Sequence, residues 1–424
     1  MIRSPAVALA KAGVTRRAVL ALLLAAACTL AVPGPAAQTP RPILILVSFD
    51  AWRWDYFDRT KTPNLHALAA RGVRSRGLIP AFPSKTFPNH YTIVTGLYPA
   101  HHGIISNNIR DDAIGERFTM SAPTAKDSRW WGGEPLWVTA IKQGGRASSM
   151  FWPGSEVEIG GVRPSEWRPF DDSFPSTDRV NQVLAWLSGP EERRPSFITL
   201  YFSDVDTVSH NEGPDNPATL AAAEQLDGHL GELMAGLEAR GLTARTNIII
   251  VSDHGMSQQS ADRKIYLDDY VDLDTVNVVD WSPVLHLAPK TGTVAALYAK
   301  LHGRHPNLAV YLREELPAEL HFSDNPRIQP IIALADDGWA ITTWARFDET
   351  KARNPSRLSG GDHGYDGRYK SMHGLFVAAG PGLRRGLVVP EFENIHIYEL
   401  MCRLLGLRPA KNDGDPAVTQ SLMR

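Results

Sequence analysis

Acid and imidazole side chains recur in this sequence at spacings that could hold a metal ion. In SDVDTVSHNEGP, residues 203–214, Asp206 precedes His210 by four positions. On one turn of helix those positions share a face, so a carboxylate and an imidazole can converge on one cation. SDHGM supplies Asp253 and His254 side by side, and GGDHGYDG, residues 360–367, offers His363 in a glycine-rich loop able to approach a site closely. Asp50 closes the apolar run ILILVSF. Carboxylate and imidazole without thiolate suit zinc in a hydrolytic centre, and Asp-plus-His sets can hold two ions.

Such a centre would explain Thr86. It lies in FPSKTFPNH, residues 82–90, between Pro83 and Pro88, which fix the backbone and limit the drift of its side chain. A threonine hydroxyl is almost wholly protonated at neutral pH, and coordination to a divalent cation lowers its pKa enough to supply the alkoxide. The plain reading of Thr86 is a helix N-cap for the segment from Phe87 or Pro88 onward. The two roles are compatible, because a helix N-terminus also favours an anionic phosphoryl group. Each acidic or histidine fragment has its plain reading too: a solvated helix pair for Asp206 and His210, a turn for Asp253-His254-Gly255, a cap for Asp50, a loop histidine for His363. Several of them at strand ends make a site.

The elements that must position these residues are legible. ILILVSF (43–49), FITLYF (197–202) and NIIIVS (247–252) are continuous apolar runs, expected as strands buried on both faces, and GLFVAAG (374–380) is a fourth. TPNLHALAARG (62–72) reads as a helix with Thr62 as cap, Pro63 in its first turn and Gly72 as stop. Residues 217–240 read as a long helix closed by Gly241. Strands alternating with helices predict an α/β fold with a mostly parallel central sheet and helices on both faces, its ligand site at the strands' carboxyl ends. Residues from about 265 to 355 break the rhythm and are expected as a smaller inserted α+β lobe. RWWGGEPLW (129–137) reads as core that can also shape a pocket. No internal repeat is visible.

Composition narrows the function. The 424 residues are 43% hydrophobic and 21% charged, an ordinary globular balance. Residues 1–37 carry Arg3, Lys11, Arg16 and Arg17 and no acid, which leaves 40 basic against 46 acidic side chains in the remainder. A mildly acidic body with no basic stripe disfavours a stable nucleic-acid complex. The basic start, the apolar run from Ala18 to Val32 and the small residues after it predict a cleaved export signal over 1–37 and a periplasmic or secreted protein without a membrane span in its mature chain. Thr15-Arg16-Arg17 loosely suits a twin-arginine signal, and Cys28 is an alternative lipid-attachment site. With the leader gone, Cys402 is the one cysteine left, so core burial rather than a disulfide must hold the chain.

The blocks SFDAWRWDYF, FPSKTFPNHYTIVTGLYPAHHGIISNNIRD, YFSDVDTVSHNEGP, NIIIVSDHGM and GDHGYDGRYKSMHGLFVAAGPG, in that order from about residue 43 to 410, resemble the nucleotide pyrophosphatase/phosphodiesterase family of the alkaline phosphatase superfamily. In length the chain is similar to the compact single-domain bacterial members, so 38–424 is expected as one catalytic domain that includes the lobe. The resemblance implies two zinc ions: one held by Asp50, Thr86, Asp253 and His254, the other by Asp206, His210 and His363. It implies Asn107 as hydrogen-bond donor to a phosphate oxygen, and Phe87 with Tyr201 as an aromatic pair sandwiching a nucleobase or similar group. His90 and His373 do not match ligand positions and are expected to be structural.

The implied activity is hydrolysis of phosphodiester or pyrophosphate bonds in nucleotides or their derivatives, to nucleoside monophosphates, through a phosphothreonine intermediate. Sulfatase chemistry fits poorly, because Thr86-Phe87-Pro88-Asn89-His90 lacks both the modifiable cysteine or serine and the arginine of the sulfatase frame. Phosphonate or phosphate-monoester hydrolysis within the superfamily, and an inactive zinc-loaded binding protein on the same fold, are the competing readings. Stacking accepts any flat group, so the aromatic pair leaves open nucleoside triphosphates, dinucleotides, nucleotide sugars and other diesters. Oligomeric state is not encoded in any feature of the sequence.

Overall fold

Ile43–Phe49 (β1) is buried at every position, as its unbroken apolar run requires of a strand covered on both faces. The computed structural model describes residues 41–424, which cluster as one compact unit. The leader over 1–37 and Cys28 lie outside them. Around β1 stand Val73–Ser75 (β2), Ala147–Met150 (β3), Glu166–Arg168 (β4), Phe197–Phe202 (β5), Thr246–Val251 (β6), Phe376–Ala379 (β7) and Leu387–Val389 (β8). They form an eight-stranded sheet in the order β8-β2-β7-β6-β1-β5-β3-β4. All neighbours are parallel except β7, which runs antiparallel to β6 and β2.

The helices form two packed groups. Pro63–Ala70 (α1), Ser176–Leu187 (α3) and Pro217–Ala239 (α5) pack together, while Thr86–Thr95 (α2) packs with Ile397–Leu405 (α6), which also touches β1. Asp204–Glu212 (α4) leads into α5 at the strand exits. Helix boundaries follow local chemistry. The Asn216 side chain accepts from Ala218 N–H at the start of α5, and Gly241 beyond its end has φ of +64°. Thr62 holds the expected N-cap position of α1 but makes no side-chain cap bond, while the expected cap at Thr86 is not made, since Thr86 is the first helical residue, after Lys85.

β5 and β6 flank β1 with Ser48 level with Tyr201 and Val251. Three neighbouring parallel strands therefore end at one height, and Asp50, the α4 acids and the Asp253-His254 pair leave the sheet together. The expected irregular region builds its own antiparallel sheet from Val276–Asp280, Val284–Pro289, Leu308–Leu312 and Ile331–Ala335, with helices Val294–Leu301 and Trp344–Arg353. Its core, around Leu285, Leu287, Ile331 and Ala333, also takes in Tyr365 and Met372 from beyond the expected border near 355. Trp130, Trp131 and Trp137 are core residues. Cys402 is free and buried, and no described helix is long and apolar enough to cross a membrane.

Candidate active site

β1 delivers Asp50 into the site almost fully buried. Its Oδ2 accepts a hydrogen bond from Tyr201 Oη at 2.6 Å, while Oδ1 has no hydrogen-bond partner. Asp253, beyond β6, is anchored through Oδ1 by Ala51 N–H at 3.3 Å, and its Oδ2 is likewise without an aligned donor. Asp206 Oδ1, on the first turn of α4, is the third such atom. Unpaired carboxylate oxygens at this depth are costly, and three of them converging mark a place built for positive charge.

Histidines complete the cluster in one repeated way. His210 Nδ1 donates to Gly361 O at 2.9 Å, His254 Nδ1 to Gly255 O at 2.9 Å and His363 Nδ1 to Ser84 O at 3.0 Å. Pinning Nδ1–H to a carbonyl leaves Nε2 as the ring's lone-pair donor, the second-layer arrangement that orients metal-ligating imidazoles. Those Nε2 atoms face the acids. His254 Nε2 lies 2.9 Å from Asp253 Oδ2 and 3.5 Å from Asp50 Oδ1. Asp206 Oδ1 lies 3.4 Å from His210 Nε2 and 3.7 Å from His363 Nε2. Two donor triads, Asp206/His210/His363 and Asp50/Asp206/His254, each lie within 4.8 Å. Carboxylate oxygens and imidazoles at this spacing fit divalent cations of the zinc type.

Without an ion, the site draws positive charge from a proton instead: burial lowers the His254 pKa, but Asp253 and Asp206 outweigh it and raise it. Burial drives the Asp50 carboxyl well above its ordinary pKa, and the charges of Asp253 and Asp206 push the same way. Burial works against the Asp253 charge too, but His254 and His90 outweigh it and hold that carboxyl well below its ordinary value. His363 is kept neutral by burial and by neighbouring His254 and His210, which lower its pKa strongly.

Thr86 opens α2 with Oγ1 3.3 Å from His254 Nε2. The helix start is fixed by His90, whose Nδ1 donates to Thr86 O at 2.8 Å while its Nε2 meets Ser48 Oγ at 2.8 Å. Both ring nitrogens are thereby used, although His90 also sits in a triad with Asp50 and Asp253. His373 lies elsewhere, its Nδ1 3.2 Å from Lys370 Nζ. Asn107 is placed by its side-chain oxygen, which accepts from Phe87 N–H at 3.0 Å. A backbone donor must face the amide oxygen, so the NH₂ end stays available as a donor.

The six other expected metal ligands and Asn107 are thus gathered around Thr86, but Tyr201 is too buried to act as the expected aromatic partner of Phe87. Phe87 is half-buried on Phe118 and Trp131, with centroids 5.8 and 6.1 Å away. Tyr201 is 8% exposed, with its hydroxyl committed to Asp50 and its ring edge-on to His90 at 5.2 Å. It has no open face to stack on. The exposed ring beside it, 6.0 Å away and 52% exposed, is Phe170. Phe170 was not singled out from sequence; the available signal was an aromatic among polar residues in RPFDDS, residues 168–173. Sequence reading also missed Lys85 and Asp280, which form a buried ion pair at 2.6 Å next to Thr86.

Comparison with known proteins agrees with this geometry. The family described as type I phosphodiesterase / nucleotide pyrophosphatase matches residues 44–366. A venom phosphodiesterase of Crotalus durissus collilineatus is 39% identical over 402 residues, 92% of this chain and 47% of the relative. Ectonucleotide pyrophosphatase/phosphodiesterase family member 3 of Rattus norvegicus is 36% identical over 401 residues, 91% and 44% of the two chains. The chain spans about half the length of these curated relatives. Among solved structures, murine ectonucleotide pyrophosphatase/phosphodiesterase 5, an inactive threonine-to-alanine form in complex with AMP, superposes with a TM-score of 0.84 at 34% identity, covering 91% of this chain and all of the other. The human counterpart gives 0.85 at 36% identity, covering 90% of this chain and all of the other.

Proposed function

The chain belongs to the type I phosphodiesterase/nucleotide pyrophosphatase family, and on that premise we propose that it hydrolyses phosphodiester or phosphoanhydride bonds of nucleotides with Thr86 as nucleophile. The observation that carries the reading is the convergence of three buried carboxylate oxygens, none accepting an aligned hydrogen bond, on the imidazole that faces Thr86 Oγ1. Asp50, Thr86, Asp253 and His254 would hold one cation, and Asp206, His210 and His363 a second. Two zinc ions bound there supply Lewis acidity, lowering the pKa of the threonine hydroxyl and offsetting charge on phosphate oxygens.

The residues then act in order. Thr86 Oγ1, its proton lost to solvent water, attacks phosphorus in line; the new Oγ1–P bond forms as the bond to the leaving oxygen breaks, and that oxygen takes up a proton from solvent. The NH₂ of Asn107 donates to a non-bridging oxygen as charge builds there. Water attacks the phosphothreonine from the opposite side, its oxygen bonds to phosphorus as the P–Oγ1 bond breaks, a proton restores the Thr86 hydroxyl, and two inversions give net retention. The flat group of the substrate rests on Phe87, and we assign the opposing face to Phe170 rather than Tyr201. AMP, the ligand named with the murine neighbour, is the product class this geometry would release. The expected export signal over 1–37 and the likeness to a venom enzyme support work outside the cytoplasm.

The test is kcat/KM for ATP, a dinucleotide, a choline phosphodiester and an aryl monoester, with and without chelator. The nucleotide diester and anhydride substrates are expected to lead, with turnover lost on chelation. A zinc-loaded protein that turns over none of them overturns the proposal in favour of a binding protein; a monoester preference reassigns it within the superfamily.

A further inference from the structure

Asp280 ends a strand of the inserted lobe, at a register shift in its pairing, and is 4% exposed. Its Oδ2 takes Lys85 Nζ at 2.6 Å and the Ser106 hydroxyl, and its Oδ1 takes Asn108 Nδ2 at 3.0 Å and Trp281 N–H at 3.0 Å. Lys85 immediately precedes Thr86. Ser106 and Asn108 sit on either side of Asn107. One carboxylate thus ties the start of the nucleophile helix to the 106–108 segment that presents the amide donor, and the two segments are tied again where Phe87 N–H meets Asn107.

The same stretch is bound to the His363 loop. Ser84 O accepts from His363 Nδ1, and Ser84 Oγ donates to Tyr365 O at 2.6 Å. Gly364 lies so close to the Lys85 stem that a Cβ there would meet Lys85 Cε at 3.0 Å. A fully hydrogen-bonded carboxylate in a dry setting permits one geometry, and reacting groups misplaced by about 1 Å lose on the order of a hundredfold in rate.

We propose that Asp280 is a positioning residue for the reaction, fixing Thr86 and Asn107 relative to each other, so that the inserted lobe is a working part of the site. The inference rests on the function proposed above. Asp280→Asn removes the charge and keeps the shape. The double variant Lys85→Met with Asp280→Asn also removes the buried lysine, so no lone charge is left to unfold the protein. For the zinc-loaded full chain acting on bis-p-nitrophenyl phosphate, either variant should lose about ten- to a hundredfold in kcat with KM within about twofold, as expected for an interaction made in the transition state.

Repeating both changes in an Asn107→Ala background separates positioning from plain destabilisation. Positioning predicts a much smaller further loss there, because the partner to be aligned is gone. An equal fold-loss in both backgrounds, or a double variant that turns over like the unmodified protein, overturns the inference while the function stands. An unmodified protein with no diester turnover overturns the function, and this inference with it.

Discussion

At the scale of single residues, Thr86 and Tyr201 carry the clearest expectations. Thr86→Ala should retain zinc, because the carboxylates and imidazoles remain, but it removes the attacking oxygen. Loss of turnover by more than about a thousandfold, with no protein-bound phosphate in a quench experiment, is expected of a missing nucleophile. Near-normal turnover would sink the assignment. Tyr201→Phe keeps the ring and deletes the one hydrogen bond to Asp50 Oδ2. Metal affinity should fall by about 10–100-fold, as when a ligand's supporting partner is lost, while KM for nucleotides holds in metal-saturated protein. Phe170→Ala should do the reverse, raising KM for nucleotide substrates and leaving metal titration unchanged. If both variants raise KM alike, Tyr201 is a substrate contact after all.

Elements matter here because the site lies where backbone segments pass at close range. A Cβ on Gly360 would stand 2.1 Å from His210 O, and one on Gly255 2.1 Å from Ser371 O. Neither distance admits a side chain without moving backbone. Gly360→Ala should therefore part the His363 loop from α4 and separate Asp206 and His210 from His363. Weakened binding of one zinc equivalent, seen by competitive chelator titration, is expected with the helical circular dichroism preserved. Unchanged affinity for both equivalents would show that the loop can yield without cost to the site.

For the whole molecule, the charge buried at the strand ends makes stability depend on metal and on pH. In metal-free protein the Asp50 carboxyl, raised by burial and by Asp253 and Asp206, resists ionisation. A folded-state pKa above the unfolded value gives stability that is complete below the unfolded value and lost as pH rises through the folded one. Asp50→Asn should accordingly raise the Tm of the metal-free protein at neutral pH, and the gain should shrink as acid restores the proton to the unmodified chain. With zinc added the order should invert, because only the unmodified chain keeps all three carboxylates for the ions. A metal-free Asp50→Asn protein that melts below the parent at neutral pH would contradict this electrostatic account.

Much of the fold and most of the site could be read from local pattern. ILILVSF, FITLYF and NIIIVS announce strands because burial on both faces demands unbroken apolar runs, and an acid directly after such a run must leave the sheet at its carboxyl end. Asp50 and Asp253 were therefore recognisable without coordinates, and Asp206 with His210 by their four-residue spacing on one helical turn. What the pattern could not supply was direction and distance through space. Whether the Tyr201 ring faces a ligand or a carboxylate depends on β5 lying beside β1 in a register that brings its hydroxyl to Asp50. Asp280, 195 residues from Lys85, meets it only because the lobe folds back onto the start of α2. Sequence determined which chemistry is present and on which elements; packing between segments far apart in the chain decided which side chains touch, since burial and hydrogen-bond satisfaction are settled jointly across the whole core.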